Sequence, residues 1–528
     1  MKKIYQKTKS ILFLVLCTTT LYAQNYYVSP GGSDSNNGLT NTTPFKSISK
    51  AAGLVTPGNT VFLMKGVYAQ GYVVISKSGS PGKYITYIAY PGDNPKITFT
   101  GSIWNLILIT ASYIVFDGIE LEGNNANLTY SGALASYNDK NAGGNNTALY
   151  GQYNTNAISV NGDVSKGIFP THVTIRNCIV HDFSAGGIGS GLSDYITVEN
   201  NIVYNNSWYT MYACSGISII NPYNTDNVTT YKIIVRNNIC HNNKTLIPWI
   251  GITPHRLSDG NGIIIDVNQR TPTPTNSAGV PYVGRTLVEN NVSYYNGGSG
   301  IHAFSADHVD IINNSAFHNG VIMGYADIYG AYANDVKIFN NIMYSETGGK
   351  CNSNNNNTNV TYDYNIYFNG AVAVQGVHDI VGKDPQYIDT SASGRNFQLK
   401  NTSPAINSGS AVAGQFSATD IKGVTRDSKP DRGAYEYLIS TEVIPINKTN
   451  NSFNLYPNPA RNYVIVEGAV TGINSRIELY NNLGKKIVTQ FLNSNISQID
   501  LSGFDQGIYF FRIIDGNNVL QTGKLIKE

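Results

Sequence analysis

The chain is short of charge, of cysteine and of long apolar runs, and each shortage removes a class of protein. Only 13% of its 528 residues are charged and the formal net charge is +2. No basic stripe is present to follow a nucleic-acid backbone, and no acidic run to form a solvated tail. Of five cysteines, Cys17 precedes Cys178, Cys214, Cys240 and Cys351. These four are too few and too scattered for a disulfide framework; Cys178 and Cys240 read as core residues, and pairing stays open. The apolar stretch ILFLVLCTTTLYA follows Lys2, Lys3, Lys7 and Lys9 and ends at the small Ala23. It is too short to span a bilayer, so residues 1–24 read as a secretory leader, and no later stretch is long enough for a transmembrane segment. What the chain does hold is glycine (52), tyrosine (37) and much asparagine, a makeup of turns, strands and aromatic surface suited to sugars.

Seven stretches line up, among them VTIRNCIVHDF (173–183), ITVENNIVYNN (196–206), IIVRNNICHNN (233–243) and TLVENNVSYYN (286–296). The leading Asn, or its replacement, falls at 177, 200, 237, 290, 313, 340 and 364. A period of about two dozen residues, lengthened by insertions in two repeats, is the mark of a solenoid. Alternating β-branched residues before each Asn pair and a second short strand after it predict a β-coil, with asparagine amides stacking from coil to coil.

This pattern resembles the right-handed parallel β-helix proteins of the pectate-lyase-like superfamily, nearest to polysaccharide lyase family 9, over residues 25–437. The opening YYVSPGGSDSNNGLTNTTPFKSISKAAGLV is similar to that group's N-terminal cap, with a short amphipathic helix at 44–55. The stretch 384–437 is similar to its closing segment. After a linker at 438–452, LYPNPARNYVIVEG, IELYNNLGKKIV and IDLSGFDQGIYFFRIIDGNNVLQTGKLIKE predict a small β-sandwich over 453–528. These strings resemble the C-terminal sorting domain of the type IX secretion system. That resemblance implies export through the type IX machinery to the medium or the cell surface. The expected fold is therefore all-β, a parallel β-helix followed by a sandwich, and a monomer is expected.

The second strand of each coil registers on Ile158, Ile188, Ile217, Ile263, Ile301 and Ile328. With these isoleucines in the core, alternation turns the neighbours at −1, +1 and +3 outward. Gly and Ser then floor the early coils, whereas Asp266, His302, Phe304, Asp327 and Tyr329 follow. The two insertions beside this face carry Trp208 and Tyr212, and Trp249, His255, Arg256, Asp259, Arg270 and Arg285; long loops on a rigid scaffold are where binding resides. The expected site is His302 as catalytic base with Arg256 and Arg285 gripping carboxylates, on an acidic polysaccharide held by Ser218, Trp208, Tyr212, Trp249, Arg270, Phe304 and Tyr329. Asp259 and Asp266 are the candidate ligands of a calcium ion.

The lyase resemblance implies β-elimination, which needs a base near the proton α to a uronate carboxylate and positive charge on that carboxylate. The sequence departs from family 9 at one place that matters. Its GNG-type strand implies an outward lysine base, and GNGIIID has Ile264 there. Asp259 beside Asp266 keeps glycoside hydrolysis open, and a non-catalytic surface adhesin is the third reading. Asp266 and Asp327, about 16 Å apart by strand spacing, are too distant for a direct pair.

Overall fold

The computed structural model describes residues 23–268, 280–438, 453–468, 475–481, 485–492, 494–515 and 518–528. Most of the expected leader, nearly all of the linker and Arg270 lie outside them. Two compact units divide between Tyr437 and Leu438.

The first unit is a three-sided coil. Parallel sheets of eleven, nine and eleven strands are built from every third strand of the chain, except for one pair of consecutive strands at an end of each eleven-stranded sheet. The Asn-Asn pairs divide two tasks between their members. The first Asn turns the corner: Asn177, Asn200, Asn237, Asn290, Asn313 and Asn340 have φ of 55, 58, 57, 55, 52 and 56°, the left-handed region that asparagine tolerates better than other side chains. The second Asn stacks. Asn201 Nδ2 donates to Asn238 Oδ1 at 3.0 Å, Asn238 to Asn291 at 3.0 Å, Asn291 to Asn314 at 3.0 Å, Asn314 to Asn341 at 3.0 Å and Asn341 to Asn365 at 3.1 Å.

A second ladder starts five residues later in each coil. Asn206 donates to Asn243, Asn243 to Asn296, Asn296 to Asn319 and Asn319 to Asp327 Oδ1. Each side-chain oxygen in the chain accepts from both the backbone N–H and the Nδ2 of the Asn before it, and each Nδ2 donates onward, so the last member needs only to accept. A carboxyl group does that.

The register on the nine-stranded sheet pairs Ile158, Ile188, Ile217, Ile263, Ile301 and Ile328 in sequence, all of them buried. The +1 and +3 columns run as the sequence predicts. The −1 column does not. Gly216, Gly262 and Gly300 lie against the second ladder: an added Cβ would come within 2.6 Å of Asn243 Nδ2, 2.9 Å of Asn296 Nδ2 and 2.8 Å of Asn319 Nδ2 respectively. These glycines are packing necessities rather than an outer floor, and Asp327, in the same column, is fully buried as the ladder's end.

At the N-terminus the cap helix is shorter than its pattern, Ile48–Ala52, with Ser47 capping it and Ile48, Ala51 and Ala52 buried. Two helices, Tyr130–Asn141 and Thr147–Tyr153, interrupt the coil before strand Asn156–Asn161. Their Tyr137, Tyr150 and Tyr153 form an apolar cluster with Met211 and Ile247 from the two long insertions. At the other end Arg426 and Arg432 tie the closing segment to the coils, donating to Asn290 Oδ1 and to the carbonyl of Asn365. All four cysteines are free; Cys178, Cys240 and Cys351 are buried and Cys214 is partly so.

The second unit is the expected sandwich. Antiparallel sheets of three and four strands enclose Val464, Val466, Ile477, Leu479, Ile499, Phe511 and Leu525. No helix among the described residues is long and apolar enough to cross a membrane.

Candidate active site

Strands Ile263–Asp266, Ile301–Phe304 and Ile328–Ala331 lie side by side and form the bed of a cavity of about 280 Å³. Ile264, Asp266, His302, Phe304, Tyr329 and Ala331 line it from the strands. Trp249, Ile252, Arg256, Ser258 and Asp259 line it from the loop before Ile263, and Tyr325, Tyr332 and Asn355 close the side opposite. The loop has its own brace. Trp249 N–H donates to the Arg256 carbonyl at 2.8 Å, and a 2.6 Å hydrogen bond joins His255 Nδ1 to the Tyr137 hydroxyl on the inserted helix. The helical insertion thus holds the wall that presents Trp249 and Arg256.

Seven of the residues expected from sequence meet here: Trp249, Arg256, Asp259, Asp266, His302, Phe304 and Tyr329. The others do not. Arg285 lies on an eleven-stranded sheet, where its guanidinium is held by Asp310, at 2.7 and 2.6 Å, and by Asp335, at 2.7 Å, so it has no role as a site cation. Trp208 donates its indole N–H to the Asn242 carbonyl at 2.9 Å and is part of the loop's framework. Tyr212 pairs with Trp104 at 5.9 Å, and Ser218 sits on the neighbouring strand opposite Ile264; both are outside the cavity wall. Sequence reading missed Ile252, Ser258, Tyr325, Tyr332 and Asn355, which follow no column. It also missed Asn261 of GNG, whose Nδ2 donates to Asp259 Oδ1 at 3.1 Å while its Oδ1 accepts from Ser299 N and Oγ at 2.8 Å each. The GNG of one coil and the GGSG of the next are thereby joined, and the joint positions a carboxyl group.

Two carboxyl groups share this cavity, and both hold protons far above the ordinary carboxylate range. Burial lifts Asp259 to about 7, opposed by the Asn261 hydrogen bond. Burial, and then the charge of Asp259, lifts Asp266 to about 8. Like charges in a desolvated site cannot both ionise cheaply. His302 is 5% exposed and lies 4.0 Å from the Tyr329 ring in a stacked pair; burial pushes its pKa down to about 3. Neither ring nitrogen of His302 has a hydrogen-bond partner among the described residues, nor has Asp266 Oδ1. These unsatisfied polar atoms in one small cavity are free to take hydrogen bonds from a bound molecule.

A calcium ion does not fit this donor set. Calcium takes six to eight oxygens; here two protonation-prone carboxyls face aromatic rings, aliphatic side chains and a guanidinium. No group of three or more His, Cys, Asp or Glu among the described residues is disposed to hold a metal.

A three-sheet parallel coil with a carboxyl-bearing cavity on one sheet defines a parallel β-helix protein, and sequence comparison gives the family. Residues 26–341 match the family described as Pel9A-like, right handed beta helix region, and the chain belongs to it. Residues 454–528 match the secretion system C-terminal sorting domain, which marks the protein for secretion or the cell surface. Pectate lyase L of Paenibacillus polymyxa (strain SC2) is 26% identical over 329 residues, 57% of this chain and 69% of that protein. Pectate lyase L of Dickeya dadantii (strain 3937) is 24% identical over 354 residues, 62% of this chain and 74% of that protein. The crystal structure of pectate lyase Pel9A superposes with a TM-score of 0.43 at 18% identity, covering 78% of this chain and 96% of that one.

Proposed function

We propose that this protein is a secreted enzyme that cleaves a uronate-containing polysaccharide by β-elimination in the cavity of Asp259, Asp266 and His302. The observation that carries the reading is the carboxyl pair itself. Near neutral pH the pair holds about one proton, which makes one member an acid and the other a base. A carboxylate with a raised pKa is a stronger base than an ordinary one and is better matched to the working pH. Asp259, the first of the two to ionise, takes the proton α to the sugar carboxylate. The electron pair forms the C4=C5 bond, the C4–O bond breaks, and protonated Asp266, whose Oδ1 is unpartnered, supplies the proton to the departing oxygen. Arg256, exposed at the rim, pairs with the substrate carboxylate. His302, neutral at all working pH values, is a poor base and instead hydrogen-bonds sugar hydroxyls. No step is routed through calcium. The two relatives named pectate lyase L support the substrate class.

Glycoside hydrolysis is the second reading. It is favoured by the carboxyl pair together with Ile264 at the position where the family resemblance implies a lysine base. The deciding experiment incubates the mature chain with polygalacturonate, alginate and hyaluronan, with and without chelator. It follows both ultraviolet absorbance of the new double bond and reducing ends. Absorbance rising with reducing ends, with or without chelator, supports elimination; reducing ends alone move the assignment to hydrolysis; neither signal leaves a binding protein.

A further inference from the structure

The outer face of the nine-stranded sheet differs between its two ends, and the difference bears on how a polymer is cut. On the N-terminal side of the cavity the +1 positions are small, Ser159, Gly189 and Ser218, and the +3 positions carry Asn161, Gly191 and, beside Asp266, the 38% exposed Ile220. Neither Gly189 nor Gly191 is required by the fold. Both lack a positive φ, an added Cβ at Gly189 meets nothing nearer than the Ile158 carbonyl at 3.9 Å, and at Gly191 it meets nothing nearer than 3.5 Å. This floor runs three strand spacings, about 14 Å, from Ser159 to Ile264. On the C-terminal side of the cavity rings rise from the same columns. Tyr329, Ala326 and Ala331 form an apolar cluster of their own, outside the solenoid core, with Phe304 and Tyr325 packed on it. Tyr329 stacks on His302 at 4.0 Å, and Tyr332 meets Phe304 edge-on at 5.6 Å.

Resting on the function proposed above, we infer that the enzyme acts on chain ends. A polymer enters along the Ser/Gly floor, and its terminal unit lodges in the cavity against the Tyr325–Tyr329–Tyr332 stop. The scissile linkage then lies at the Asp259–Asp266 pair, and the fragment enclosed by the cavity leaves as a short product. A groove open at both ends would let the chain continue past the carboxyls and be cut internally. The aromatic cluster occupies the path that such a chain would need.

The test uses the mature full-length chain on polygalacturonate, alginate and hyaluronan, with viscosity, end formation and product size measured together. Short products of one or two units from the earliest time points, with viscosity nearly constant while ends accumulate, are expected. An early ladder of long oligosaccharides with collapsing viscosity overturns chain-end action while leaving the proposed chemistry standing. No release from any of the three removes the proposed chemistry and this inference together. Two variants sharpen the result. Gly189→Leu, on the floor and outside the cavity, is expected to raise KM for polymer at least 5-fold while changing kcat/KM on a trisaccharide less than 2-fold. Tyr325→Gly with Tyr332→Gly is expected to lengthen the products; unchanged sizes in a folded variant count against the stop.

Discussion

Gly262 and Gly189 lie two strands apart on the nine-stranded sheet, in the −1 and +1 columns, yet only one of them is held by its neighbours. A Cβ on Gly262 would come within 2.1 Å of Ser293 Oγ and 2.7 Å of the Gly300 carbonyl; on Gly189 it would reach open space. The −1 column faces the asparagine ladder inside the coil's corner, and the +1 column lies on the outer face of the sheet that carries the cavity. Glycine in the first is a consequence of the fold, and in the second it is room left over a surface. A repeat protein has many positions that look alike in sequence, and the neighbour that would be hit sorts structural repetition from function.

Five substitutions would break or sharpen that contrast. Replacing Asp259 or Asp266 by Asn has the largest expected effect, about 10²- to 10⁴-fold lower kcat with the circular-dichroism spectrum retained; steady-state kinetics on the cleaved polymer check it. Gly262→Ala comes next. It overpacks the corner and strains the Asn296 amide, costing about 3 kcal/mol, measurable by denaturant unfolding. Asn291→Ala removes the acceptor for Asn238 N and Nδ2 and leaves buried donors unpaired, at about 2 kcal/mol. Gly189→Ala is expected to change stability by less than about 0.5 kcal/mol. Should Gly189→Ala cost as much as Gly262→Ala, the distinction between the two columns fails.

Stability against pH gives a second test of the carboxyl pair. Asp266 titrates higher in the folded chain than its ordinary 3.8, so the folded state binds the extra proton. Stability therefore falls as pH rises from about 4 through the raised value, because the unfolded chain ionises first. Asp266→Asn removes that penalty. Its melting temperature should exceed the wild type's at pH 8 and match it at pH 4, as a thermal melt at the two values would show.

The solenoid was legible because the chain repeats a physical requirement. Asparagine recurs where one amide must turn a left-handed corner and the next must stack, and isoleucine recurs where the core needs a branched apolar group. The site strands were legible for the same reason, since alternation puts Ile264, His302 and Tyr329 in one line. Alternation failed at −1 because that residue belongs to the corner rather than to the strand, and there the second ladder decides its surroundings. Arg285 was misplaced because an insertion was read as one loop along its whole length, whereas its last residues have already entered an eleven-stranded sheet. Helix Tyr130–Asn141 left little trace: YSGALASYNDKN has no apolar stripe, and its few buried side chains find their partners on distant insertions. Tyr325 and Tyr332 flank the last site strand, where no periodicity speaks.

The most direct measurement of the central claim is the pH dependence of kcat/KM on the polymer the protein cleaves. With one carboxyl protonated and one ionised in the active form, the profile should be bell-shaped and centred between about 7 and about 8. It should lose one limb in Asp259→Asn. A profile that falls only below pH 4, where ordinary carboxylates titrate, or that is unchanged in Asp259→Asn, would contradict the assignment of the Asp259–Asp266 pair as the working acid and base.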